Sequence, residues 1–211
     1  MVKKAAKKVA KKATEAPAKK ASANKAPAKK APAQAAPQSA PYEEGKWAHV
    51  FKRAAGERRY WLVKSEPGVY SFDDLMKAPK KTTGWDNIRN STARNFLRDG
   101  MKKGDLAFFY HSNAEPSAIV GICEVVREGY PDPGAFDPSN EYHDAKSNPD
   151  APTWFMVDVK GVEKLPREVT LPEIKADAAL SEIALVKQGR LSVTPVTAKE
   201  WEHVLALSKK G

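Results

Sequence analysis

The residues able to do chemistry are few, and their spacing narrows what that chemistry could be. The four histidines are His49, His111, His143 and His203, and none stands at metal-ligand spacing from another. Cys123 is the only cysteine, so a zinc site of the usual Cys/His kind is not expected. Ser65, Ser112 and Cys123 are the candidate nucleophiles, with His111 as a candidate base, but no Gly-x-Ser-x-Gly elbow surrounds any serine. His111 and Ser112 are adjacent at a strand end and should point to opposite faces, so they cannot act on each other. Neither a Walker loop nor a Gly-x-Gly-x-x-Gly is present, which argues against a nucleotide cofactor. No catalytic residue, cofactor or metal is therefore assigned.

A recognition site fits the residue types better. Lys64-Ser65-Glu66, Trp85 with Arg89 and Asn90, His111-Ser112, and Arg190 with Ser192 all fall in expected loops or strand ends. Together they offer a flat ring and several donors and acceptors, which is what a planar heterocycle needs from a binding site. The competing reading makes Trp85 a core residue and Arg89 a salt-bridged surface residue. Residue types alone favour that second reading.

The elements that would position these groups can be read from local pattern. Tyr60–Val63 is a short apolar strand ending at Lys64-Ser65-Glu66-Pro67-Gly68. Ser71-Phe72-Asp73-Asp74 forms a capping box and predicts a helix that stops near Pro79. Residues 84–90 read as a loop, after which Ser91 caps a second helix carrying Ala93, Phe96, Leu97 and Met101. Residues 105–110 and 118–126 read as paired strands joined by a polar turn. Residues 129–153, rich in Pro, Asp and Asn, read as an irregular segment of the kind that carries function. A strand over 154–162, helices opened by Thr170 and Thr197 capping boxes, and a strand over 191–196 complete the pattern. About five strands with helices between them, lacking regular βαβ alternation, predict an α+β fold built as a small mixed barrel with peripheral helices.

Charge divides the chain. Residues 1–40 hold 11 lysines and one acid, Glu15, whereas residues 41–211 hold 25 basic and 25 acidic residues. The lysines of the first part are Lys3, Lys4, Lys7, Lys8, Lys11, Lys12, Lys19, Lys20, Lys25, Lys29 and Lys30. With Ala and Pro around them and no aromatic before Tyr42, such a stretch cannot bury enough apolar surface to order itself. Residues 1–41 are thus expected to be a disordered basic tail that contacts a nucleic-acid backbone. Residues 42–58 form a lead-in linker, with Trp47, Val50 and Phe51 able to pack back, and residues 59–209 form one domain. No run is long and apolar enough for a membrane span, and the single cysteine suits a reducing compartment.

Several segments resemble the EVE domain family. Tyr60–Pro67 resembles its opening, and Trp85-Asp86-Asn87-Ile88-Arg89-Asn90 with Ala93-Arg94-Asn95 resembles its Trp-x-Gly-Val-Arg-Asn…Ala-Arg-Asn segment. Residues 104–112, 130–133, 154–159 and 190–196 resemble further motifs, in the same order along the chain. Asn87 departs from the pattern, standing where the family usually has Gly. The resemblance implies a PUA-like mixed pseudo-barrel and the reading of a modified base, 5-methylcytosine or an oxidised form. It implies that Trp85 stacks on the base, that Ser65, Asn90 and Ser112 bond its edge, and that Lys64, Arg89, His111 and Arg190 hold flanking phosphates or base atoms. Glu66 and Ser192 complete the implied pocket; Tyr130 and Trp154 are expected to serve as core or lid support. The expected partner is nucleic acid, DNA before RNA, bound by a monomer in a bacterial, nucleoid-associated cytoplasm or else a nucleus. An RNA-processing enzyme related to ASCH domains, and a chromatin or nucleoid protein acting through its tail, are the alternatives.

Overall fold

The computed structural model describes residues 45–210. The expected basic tail and its lysines lie outside the described residues.

Six strands form one mixed sheet in the order β2-β5-β4-β3-β1-β6. Their ranges are β1 Tyr60–Ser65, β2 Thr82–Trp85, β3 Leu106–His111, β4 Ala118–Pro131, β5 Phe155–Thr170 and β6 Val193–Val196. β1 runs parallel to β3, and every other pair is antiparallel. A parallel pair needs a long crossover, and the chain between β1 and β3 supplies it with α2 (Phe72–Lys77), β2 and α3 (Ser91–Asn95).

The apolar runs of β1 and β3 are buried on both faces of the sheet. Trp61, Val63, Ala107 and Phe109 enter one core, which α1 (Ala48–Phe51), α2 and the π-helical turn Phe96–Gly100 cover. Leu62, Phe108 and Tyr110 enter the other, together with residues from α4 (Leu171–Ala176), α5 (Ala184–Lys187) and α6 (Ala198–Ser208). Side chains alternate across a strand, so a continuous apolar run is what a strand covered on both sides requires.

The three expected capping boxes form. The Ser71, Thr170 and Thr197 hydroxyls accept from Asp74, Glu173 and Glu200 N–H groups, and each acid bonds back to the cap N–H. The helix expected after Ser91 is capped one residue earlier, by Asn90, whose side chain accepts from Thr92 and Ala93 N–H groups. The expected α+β class is observed, with two changes. There are six strands rather than five, and the sheet is open, with β2 and β6 at its two edges. The added strand is β2, which pairs Gly84 with Asp158 and Trp85 with Val157. Gly84 leaves room for the Met156 side chain, since a Cβ there would lie 2.2 Å from Met156 Cε. β4 and β5 extend well beyond their expected ends and pair with several register shifts; such bulges let long strands bend.

The lead-in is built into the domain. Val50 is buried, Trp47 meets Phe96 edge-on, and Phe51 stacks on Phe96. Arg53 donates through both terminal nitrogens to Asp105 at 2.7 Å, and the Arg59 N–H, Trp61 Nε1, and Lys102 N–H add three more donors. Burial alone would raise the Asp105 carboxyl, but these donors outweigh it and hold the group below the usual carboxylate range.

Candidate functional site

The register of the parallel pair builds a cleft. Lys64 stands opposite Tyr110 and Ser65 opposite His111, so the two strands end together. The Ser112 N–H donates to the Ser65 carbonyl, and the Lys64 N–H to the Ser192 carbonyl, each at 2.9 Å. Three loops far apart in sequence therefore meet at one end of the sheet. They enclose a cleft of about 540 Å³ lined by Lys64, Ser65, Glu66, Ser112, Arg190 and Ser192 among others.

Most of the expected polar lining is held in place by the protein. The Lys64 Nζ donates to the Gly189 carbonyl at 2.8 Å and lies 5.8 Å from the Tyr110 ring centre. Burial pushes the Lys64 amine below its ordinary range. Ser65 Oγ donates to the Tyr70 carbonyl at 2.7 Å, and Glu66 Oε2 accepts from Asn113 Nδ2 at 3.2 Å. The hydroxyls of Ser112 and Ser192, the Lys175 ammonium and the Arg190 guanidinium have no hydrogen-bond partner among the described residues, which leaves them for a ligand. The lining has three cations, Lys64, Lys175 and Arg190, against one carboxylate, Glu66. Residues 41–211 balance their charges, so this end of the sheet concentrates positive charge that the rest of the domain lacks.

Four expected site residues lie elsewhere. Trp85 is 6% exposed and packs edge-on against Phe109, 5.3 Å between ring centres. Its ring belongs to the core and offers no face to the cleft, because β2 turns it inward. Arg89 is occupied by Asp132, which accepts from Nη1 at 2.7 Å, and by the Tyr142 carbonyl, which accepts from Nε at 2.7 Å. Asn90 uses its amide oxygen as the α3 cap and not on a ligand edge. His111 Nε2 accepts the Phe72 N–H at 3.1 Å, so that nitrogen is taken up within the protein, and burial lowers the ring's pKa. Ser112, the next residue, faces the cleft, as strand alternation requires.

Asn87 sits at φ 61° and donates its N–H to Asp132 Oδ2 at 3.0 Å. That left-handed conformation favours Gly, and Asn is among the few other residues that adopt it readily. The departure from the family pattern therefore leaves the loop's backbone intact.

Residue types did not single out Tyr110, Tyr142, Lys175 and the apolar wall of Leu171, Leu185, Val186 and Leu191. Tyr142 carried an indirect signal, since it lies in the irregular 129–153 segment. Lys175 carried none, being one lysine among many on a short helix. Among the described residues no group of three or more His, Cys, Asp or Glu side chains could hold a metal ion. No helix among them is long and apolar enough to cross a membrane.

Among the described residues the chain forms an α+β domain, one open mixed sheet with a positively lined cleft where its parallel pair ends. The particular family follows from comparison: the EVE domain matches residues 59–207, and the chain belongs to that family. Human thymocyte nuclear protein 1 is 42% identical over 168 residues, covering 72% of this chain and 74% of that protein. A structure of the human THYN1 protein in complex with 5-methylcytosine-containing DNA has a TM-score of 0.69 at 41% identity, covering 72% of this chain and 99% of that one. A Pseudomonas putida protein of known structure is 46% identical with a TM-score of 0.67, covering 71% of this chain and 99% of its own.

Proposed function

We propose that this protein binds DNA without catalysing a reaction on it, and reads 5-methylcytosine in the cleft at the ends of β1 and β3. The observation that carries the proposal is the cleft itself. It is positively lined, and it holds four polar groups with no partner among the described residues, in a domain 41% identical to one solved with 5-methylcytosine-containing DNA. In this reading Ser112 and Ser192 bond the edge of an extruded base. Lys64, Lys175 and Arg190 meet the phosphates beside it. The apolar wall of Leu171, Leu185, Val186 and Leu191 contacts the base and its methyl group. Ser65 and Glu66 shape the rim through the bonds they already make. A non-catalytic role is supported by His111, whose Nε2 is taken up by Phe72 and cannot activate a cleft hydroxyl.

The same proposal divides the chain into a tail over 1–41, a lead-in over 42–58 and the EVE domain over 59–209. The tail lysines, among them Lys3, Lys4, Lys7 and Lys8, add sequence-independent affinity, because neutralising phosphates releases counterions. The compartment in this reading is a nucleus or a bacterial nucleoid; the name of the human relative calls that protein nuclear.

Fluorescence anisotropy of the full chain against matched cytosine and 5-methylcytosine oligonucleotides tests the reading. Tighter binding of the methylated probe, weakened by Arg190→Gln, is expected. Equal affinity for both probes would refute base reading. Deleting residues 1–40 should flatten the salt dependence, by about 0.9 in the log–log slope for each duplex phosphate no longer contacted. An unchanged slope would exclude the tail's part.

A further inference from the structure

With Trp85 buried, the cleft needs another flat surface if a planar base is to stack in it. Tyr110 forms part of the wall but is 3% exposed. Tyr142 also lines the cleft and is 44% exposed, the one large aromatic ring left this open among the described residues. It does not come from a strand end. It stands on the irregular segment between β4 and β5, where little regular structure fixes a ring.

What holds its backbone is a chain of polar contacts that ends in a different loop, and the Arg89 guanidinium lies 6.0 Å from the ring centre. The Tyr142 N–H donates to Asn140 Oδ1 at 2.8 Å, and its carbonyl accepts from Arg89 Nε at 2.7 Å. Arg89 is anchored by Nη1 to Asp132, a fully buried carboxylate that also accepts the N–H groups of Asn87 and Gly134. The guanidinium lies 5.5 Å from the Trp154 ring centre. The Trp154 Nε1 in turn donates to Asp144 Oδ2, two residues beyond Tyr142. A planar guanidinium presents several N–H groups at fixed angles and can stack at the same time; an ammonium cannot do both.

We infer that Tyr142 is the stacking face of the cleft and that Arg89 is a positioning residue that sets it, acting from the loop after β2. The inference rests on the base-reading proposal above, and it gives Arg89 a different role from that of a phosphate contact. Its Nε and Nη1 are taken up by Tyr142 and Asp132, and in this role it sets where the ring stands.

The test uses the full chain with duplex and single-stranded oligonucleotides carrying cytosine or 5-methylcytosine. Tyr142→Ala should weaken binding of the methylated probe by at least about fivefold, the lower end of what one aromatic–base stack supplies. Its melting temperature should stay at the wild-type value, and Tyr142→Phe should bind like wild type. Arg89→Gln should weaken binding in the wild-type background and add little in the Tyr142→Ala background. A purely structural Arg89 would instead cost the same in both. If Arg89→Gln does not fold, Arg89→Lys retains a charge beside Asp132 without the fork and should show the same dependence on Tyr142. Wild-type binding matched within twofold by Tyr142→Ala overturns the inference and leaves the base-reading proposal standing. Equal losses from the Arg89 variant in both backgrounds overturn the positioning role. If wild type binds none of the probes, the base-reading proposal fails and this inference with it.

Discussion

Replacing Arg53 by Met should show how firmly the lead-in is joined to the domain. Asp105 is 1% exposed and accepts five hydrogen bonds, two of them from Arg53, whose own side chain is 17% exposed. Removing one partner of a buried ion pair costs about 3–5 kcal/mol, because the remaining charge is left without compensation. Here the carboxylate keeps three N–H donors and the vacated site opens towards water, so the cost falls below that range, to about 1.5–2 kcal/mol. Loss of the Arg53 Nη2 bond to the Gly100 carbonyl at 2.8 Å adds to it. The expected destabilisation is about 2–3 kcal/mol. For a chain of this size each kcal/mol lowers Tm by roughly 2–4 °C, so a fall of about 5–10 °C is expected. Urea unfolding of the full chain, followed by tryptophan fluorescence, measures it, since Trp47 and Trp61 both lie in the affected region. The pH dependence supplies a second check. The folded-state carboxyl is held below its unfolded value, so its contribution is complete above that unfolded value of about 3.9. Below that value it shrinks, and it is lost as pH falls through the folded value, so the gap between wild type and Arg53→Met should begin to narrow below about pH 4. A loss under about 0.5 kcal/mol at neutral pH, or a gap of the same size at pH 3, would refute the assigned role.

Three further outcomes follow from the same geometry. Trp85→Ala should destabilise the protein by about 3–5 kcal/mol in denaturant titration, because it empties a core site against Phe109, rather than weaken binding in a stable fold. Asn87→Gly should leave stability within about 0.5 kcal/mol of wild type and Asn87→Ala should lower it by about 1 kcal/mol, both read by thermal unfolding, since the position needs φ near 61°. Asn90→Ala should cost about 1 kcal/mol through loss of the α3 cap, with no change in the ratio of methylated to unmethylated DNA binding by anisotropy.

Much of the frame was legible because it is local. A capping box is complete within four residues, so Ser71, Thr170 and Thr197 announced their helices directly. The apolar runs of β1 and β3 announced strands, and the strand-end residues Lys64-Ser65-Glu66, Ser112, Arg190 and Ser192 were identified as site residues and do meet. β2 was not legible. Four residues, two of them Thr and one a Gly beside the Trp85 loop, become a strand only because β5 offers them an edge.

The sequence by itself determined the capped helices and the apolar strands, that the tail's charge stands apart from a balanced domain, and which family the motifs resemble. Tertiary structure alone decided the role of each aromatic and charged residue around the cleft. Trp85 goes to the core because β2 pairs with β5 and turns it inward. Arg89 is held beside Tyr142 because Asp132, 43 residues away, is fully buried and accepts from its Nη1. Capping and strand alternation act between neighbours in sequence, whereas burial and ion pairing depend on which distant residues the fold brings together, and that is not written in any single segment.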